Sequence, residues 1–228
     1  MAEDAEAIWE RAHEARQRHE FQEAHTLYAT ASEQLQRVHR TEQACEALLL
    51  AADCAGRSGE SEQTSDYLYD AISLAKHRGL KQLLSRALGD LGSYYVTQGR
   101  VVEGAASYSE ALEVAEDTED ERSKANHLGN LGLLAQARGD LDDAKRMFID
   151  ALDIQLRLRK LEYAARLLVG LGEIERDLGD RDAARAALAQ ALDLCAKSKT
   201  RLAMRTAAQA RVVIGRLVRV EGDVVLAR

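Results

Sequence analysis

Six histidines are the side chains in this sequence that most resemble chemistry: His13, His19, His25, His39, His77 and His127. Three of them fall in the stretch "HEARQRHEFQEAH", which has the look of a metal site. Their spacing is six, however, and ligands on one helix face need three or four. Surface or turn positions are therefore expected for them, and no metal. "GLGEIERDLG" holds Gly170 and Gly172 but lacks the third glycine and the preceding strand of a dinucleotide fingerprint. Cys45 and Cys54 stand nine apart on one expected helix and cannot bridge, and with Cys195 they make an odd set without CxxC spacing, as in a reduced compartment. No nucleophile motif, carboxylate pair or Walker sequence appears. The expectation is a non-enzyme without cofactor.

The composition describes the elements that would carry any site. The chain has 228 residues, 46% hydrophobic and 30% charged, with no proline, seven Tyr, two Phe and one Trp. This is too apolar for disorder, and its Ala, Leu, Arg, Glu and Gln are strong helix formers, so an all-α protein is expected. No apolar run is long enough to span a membrane, and the acidic start "MAEDAEAIWE" is unlike a targeting peptide. A cytoplasmic location follows as the simplest expectation. Charge is uneven: the first 156 residues carry a net −13 and the remainder +6, a dipolar arrangement able to orient a charged partner.

Shifted by 40 residues, the chain matches itself. Gly92, Gly132 and Gly172 fall in register, followed seven residues later by Gly99, Gly139 and Gly179. Backwards the same steps reach Ala52 with Gly59, then Ala12 with His19; forwards, Gly215 and Gly222 follow after a step of 43. Ala31, Ala71, Ala111, Ala151 and Ala191 recur without exception. A repeat of this length is the signature of a stacked array. The earlier glycine of each pair is assigned to close helix packing. The later one is assigned to the left-handed turn that ends a helix.

This pattern resembles the tetratricopeptide repeat. In the fourth unit the matching places hold Leu128, Leu131-Gly132, Ala135, Ala144-x3-Phe148 and Ala151; the third has Leu88, Leu91-Gly92, Tyr95, Gly104, Tyr108 and Ala111; the fifth has Leu168, Leu171-Gly172, Ala184, Leu188 and Ala191. The unit is 40 residues rather than 34, and Glu116, Leu156 and Ala196 replace the terminal proline. That longer form is similar to the repeats of kinesin light chains and of bacterial peptide-sensing regulators. The resemblance implies a right-handed α-solenoid of helix–turn–helix repeats spanning 1–228 as one body, about five and a half units at 3–38, 41–79, 80–118, 121–159, 161–198 and an incomplete 200–228. First helices are expected near 3–18, 41–57, 80–98, 121–138, 161–178 and 200–220, and second helices near 21–37, 61–78, 101–117, 141–159 and 181–197.

In this family the first helices line the concave face, so the resemblance implies partner contacts there. The register directs Arg86, Asp90, Ser93 and Thr97 inward in the third unit, Asn126, Asn130, Leu133 and Gln136 in the fourth, and Arg166, Glu173 and Arg176 in the fifth. The Asn130 amide can both donate to and accept from an extended backbone. The carboxylate clamp of the co-chaperone members is not reproduced, since Gly89, Ser93, Asn130, Arg166 and Gly170 occupy its places and only two are compatible. The implied function is a non-catalytic scaffold binding a peptide or helix in its concave groove. The alternative is the peptide- or domain-sensing part of a larger signalling or transcriptional regulator. Net negative charge and few aromatics argue against nucleic acid. The last helix carries Val212, Val213, Ile214, Leu217, Val218, Val224, Val225 and Leu226. From these, an uncovered edge through Val213 and Leu217 is expected, met by a second copy or by further chain.

Overall fold

The structure is a computed structural model that describes residues 4–226, with side chains described to residue 218. Among the described residues there are eleven α-helices and no strand: α1 (Ala5–Gln17), α2 (Phe21–Arg37), α3 (Thr41–Ser58), α4 (Ser61–Arg78), α5 (Lys81–Thr97), α6 (Val101–Asp117), α7 (Glu121–Arg138), α8 (Leu141–Arg157), α9 (Leu161–Asp177), α10 (Arg181–Ala196) and α11 (Arg201–Leu226). They form two compact units, Met1–Asp120 with α1 to α6 and Glu121–Arg228 with α7 to α11.

In the first unit each helix packs on the next, and α3 also touches α5. In the second, consecutive helices pack in the same way, with α7 against α9 and α9 against α11. Each unit is thus a stack of helical hairpins whose odd-numbered helices share a layer. The recurring alanines explain the stacking: Ala31, Ala71, Ala111, Ala151 and Ala191 are all 0% exposed. The large residues at the Ala-x3-Phe place are buried with them, Tyr28, Leu68, Tyr108, Phe148 and Leu188 being 5% exposed or less. A buried hydrogen bond repeats at the same interval, from Cys45 Sγ to Ala71 O at 3.5 Å and from Ser85 Oγ to Ala111 O at 2.8 Å.

The packing glycines of the first helices make room for the large residue of the following second helix, a Cβ at Gly92 lying 2.8 Å from Tyr108 Cδ1 and one at Gly172 2.7 Å from Leu188 Cγ. At Gly92 and Gly104 the two backbones come close, a Cβ on either lying 3.1 Å from the other's carbonyl oxygen. At Gly132 the neighbour is a ring: a Cβ there would sit 2.6 Å from Phe148 Cδ1. Gly170, on α9, faces the opposite edge of that ring, where a Cβ would be 2.6 Å from Phe148 Cε2. Phe148 therefore fills a slot that exists because both flanking residues lack side chains. Gly215 departs from the expectation, with nothing within 4 Å of its Cβ position. It is exposed because no second helix follows α11 among the described residues.

The turns repeat with the same period. First helices end on His19, Gly59, Gly99, Gly139 and Gly179, second helices on His39, Gly79, Glu119 and Arg159, and all nine have positive φ. The left-handed conformation costs an L-residue about 1–2 kcal/mol, part of which is offset because glycine has more freedom to lose on folding. His19→Gly, His39→Gly, Glu119→Gly and Arg159→Gly are each expected to stabilise by roughly 0.5 kcal/mol. Gly139→Ala should move the midpoint the other way. Thermal or urea melts monitored by circular dichroism check the sign.

α11 corrects two expectations. It runs through Gly222 to Leu226, so the break placed at that glycine does not form. Val213 and Leu217 are each 2% exposed. They belong to a buried stripe with Ala203, Thr206, Ala207 and Ala210, on the face of the helix that packs on α9 and α10. With neighbours on one side only, α11 turns these two inward and leaves Met204, Val212 and Val218 outside. The side chains of Val224, Val225 and Leu226 lie outside the described residues.

Candidate functional site

In the first unit α1, α3, α4 and α5 enclose an open groove of about 630 Å³. Its floor is apolar (Leu49, Leu50, Ala52 and Leu68) and its rim is charged. The Arg16 guanidinium from α1 and the Arg57 guanidinium from α3 both donate to Asp53, at 3.1 and 2.9 Å. On α5, Arg86 lies 3.9 Å from Asp90, too far for a direct hydrogen bond, and both side chains are half exposed. The Ser61 and Tyr94 hydroxyls are paired at 3.1 Å across the mouth.

All four residues expected to point inward from the third repeat line this groove: Arg86, Asp90, Ser93 and Thr97. Two of them already have partners. The Ser93 hydroxyl donates to Gly89 O at 3.2 Å and lies 2.9 Å from the Tyr108 hydroxyl, and Thr97 Oγ1 donates to Tyr94 O at 2.7 Å. The groove also contains residues that the sequence reading passed over, notably Arg16, Asp53 and Arg57. A step of 40 back from Ser93 and Thr97 lands on Asp53 and Arg57, so the register that placed the first pair carried the second.

Asp90 is the titratable residue of interest. Partial desolvation by the surrounding helices pushes its carboxyl up to about 6, a shift that solvent reaching the half-exposed side chain reduces; Arg86 opposes it and the negative charge of Asp53 adds to it. A carboxyl whose pKa is raised on folding holds its proton more tightly in the folded state. Stability therefore falls as pH rises through the window between its ordinary value and about 6. Because half of the side chain is exposed, Asp90→Asn is expected to melt only slightly above the native protein at neutral pH and level with it near about pH 4. A pH series of thermal melts on the two proteins reads this difference directly.

In the second unit, α7 and α9 carry the other expected residues. Asn126 is turned toward the second helix of its own hairpin, its Oδ1 accepting from Gln155 Nε2 at 3.3 Å. Asn130 and Gln136 are half-buried on the same helix, and neither side chain has a described hydrogen-bond partner. Leu133 is exposed. On α9, the Arg166 guanidinium lies 5.8 Å from the centre of the Tyr163 ring, Arg176 is 2.7 Å from Asp177, and Glu173 is half-buried. These half-open amide and charged groups can hydrogen-bond an incoming chain, and none is arranged as a nucleophile with a base.

The histidines and cysteines are placed structurally. His13 Nδ1 lies 3.4 Å from the Tyr28 hydroxyl, His25 Nδ1 lies 3.3 Å from that of Tyr67, and burial lowers the His25 pKa. The three thiols are free and buried, and burial pushes Cys45 up to about 11. Among the described residues no three His, Cys, Asp or Glu side chains are grouped to hold a metal ion, and no helix is long and apolar enough to cross a membrane.

Residues 83–157 and 165–198 each match a tetratricopeptide-repeat family model. No curated protein matches the chain in sequence. Among solved structures, the chain is similar to BtubC (BKLC) from P. vanneervenii, with 22% identity, 84% of this chain and 80% of that one covered, and a TM-score of 0.74. It is also similar to the nearly identical TPR-like repeats of a putative kinesin light chain from Podospora anserina, at 17% identity, 87% and 99% coverage and a TM-score of 0.65. A third is the Rap conjugation gene regulator of the plasmid pLS20 in complex with the Phr* peptide, at 12% identity and a TM-score of 0.65, covering 95% of this chain. The chain spans 63% of the length of that regulator. At these identities the likeness is one of fold.

Proposed function

The chain is a tetratricopeptide-repeat protein, and on that premise we propose that it is a non-catalytic interaction module holding a partner's extended or helical segment against its first helices. The observation that carries this reading is the groove of α1, α3, α4 and α5. An apolar floor under half-exposed arginines and aspartates offers burial for side chains and hydrogen bonds for a backbone. Within the second unit, Asn130 and Arg166 on neighbouring first helices offer hydrogen-bonding groups of their own. A second reading, the peptide-sensing part of a larger regulator, draws support from the likeness to a Rap regulator solved with a peptide. Nucleic acid fits poorly, since residues 1–120 carry 23 acidic and 11 basic side chains.

The test is capture from host extract on the immobilised protein, identification by mass spectrometry, and titration of the purified partner. Loss of affinity on groove substitutions, with no loss on substitutions of the second helices, is the expected result. The reverse pattern rejects the reading.

A further inference from the structure

α11 has an outward face that none of the described residues covers. Its inner stripe is Ala203, Thr206, Ala207, Ala210, Val213 and Leu217. Opposite lie Met204 at 61% exposure and Val212 at 54%, with Ala208 and Gly215 open between them and Val218 at 54% beside them. Arg201, Arg205, Arg211 and Arg216 flank this apolar strip, all exposed, and residues 201–218 contain no Asp or Glu. No ion pair is described for any of the four. An exposed, basic and apolar helix face of this kind is an interaction surface without its partner.

Its complement is at the other end of the sequence. α1 buries Ala5, Ile8, Ala12 and Ala15, and the opposite side of that helix presents Glu6, Glu10 and Glu14 at intervals of four, next to exposed Ala7. Glu6 is held by Arg40 at 2.8 Å, whereas Glu10 and Glu14 have no described partner. We propose that the outward face of α11 in one copy docks on the outward face of α1 in a second copy, head to tail. Pairing α11 with itself would set arginine against arginine, and pairing α1 with itself would set glutamate against glutamate. Only the mixed contact joins opposite charges, and the glutamate stems cover the apolar strip. The contact is heterologous, so each added copy leaves a free α1 and a free α11, and the association continues into short chains.

Sedimentation velocity over rising concentration, at low and high salt, tests this inference independently of any partner in the groove. The native protein should associate at low salt and dissociate as salt screens the contact. Arg205→Glu with Arg211→Glu, or Glu10→Arg with Glu14→Arg, should each weaken association by about tenfold or more. An equimolar mixture of the two double variants should recover it, because each then meets an opposite charge. Val212→Asn reads the apolar part of the contact without changing charge, and should also weaken it. A native protein that stays monomeric at every concentration, or a mixture no more associated than its components, overturns the proposal.

Discussion

Gly132→Leu is expected to be among the most destabilising single changes in the second unit, at about 3 kcal/mol, the upper part of the usual range for overpacking. The first side-chain carbon alone would lie 2.6 Å from Phe148 Cδ1 and 2.7 Å from Cε1. The ring cannot retreat, because Gly170 packs on its other edge and Phe148 is 1% exposed. Gly129→Ala, one turn earlier, is the internal control. Its Cβ would stand 3.4 Å from the flexible end of Leu167, a neighbour that needs to move only slightly. Alanine is also the better helix former by about 1 kcal/mol, so this change is expected to be neutral or stabilising. Arg138→Leu, on the exposed end of α7, should be close to neutral. In a Phe148→Ala background Gly132→Ala should cost less than in the native protein, since the ring atoms that clash are then absent. Equal melting temperatures for Gly132→Leu and Arg138→Leu would contradict the assigned register.

The second large effect concerns binding. Arg57→Glu replaces one of the two guanidiniums on Asp53 with a carboxylate and reverses the charge of that side of the groove. All of these groups are partly exposed, so the cost to folding is small. A partner seated across them loses both an attraction and a hydrogen-bond donor, and a fall of about tenfold to a hundredfold in affinity is expected. Asn130→Ala with Arg166→Ala makes the same test in the second unit, where the lost groups are an amide and a guanidinium. Arg37→Ala, exposed at the end of α2, is the control. Isothermal titration with the purified partner gives the affinities, and circular dichroism confirms that the variants remain folded.

Most of the fold was legible because a 40-residue period constrains every position several times over. The bounds expected for α2, α4 and α6 coincide with those observed. The alanines at 31, 71, 111, 151 and 191 are buried because each must fit between helices on both sides. The same logic fails at α11. There the period no longer specifies neighbours on two sides, apolar residues occur all round the helix, and the sequence alone favoured the wrong pair, Val213 and Leu217. Gly92, Gly132 and Gly172 are legible as packing residues, unlike Gly215, but what they pack against is not. Gly92, Gly132 and Gly172 each face the large residue sixteen positions on, Tyr108, Phe148 and Leu188, and at Gly92 the glycine at 104 lets the backbone of α6 come close as well. The groove was read in part. Its α5 wall follows from the third repeat, and Asp53 and Arg57 stand at the equivalent places of the second, 40 residues before Ser93 and Thr97.

The central claim is that partners are held on the first helices. Site-specific photo-crosslinking tests it most directly, with a benzophenone side chain placed in turn at Thr97 in the groove and at Thr30 or Glu113 on second helices. With the purified partner at subsaturating concentration, the account predicts a crosslinked product from Thr97 that disappears on Arg57→Glu, and none above background from the other two. Crosslinking of the same partner through Thr30 or Glu113, with Thr97 silent, would contradict it.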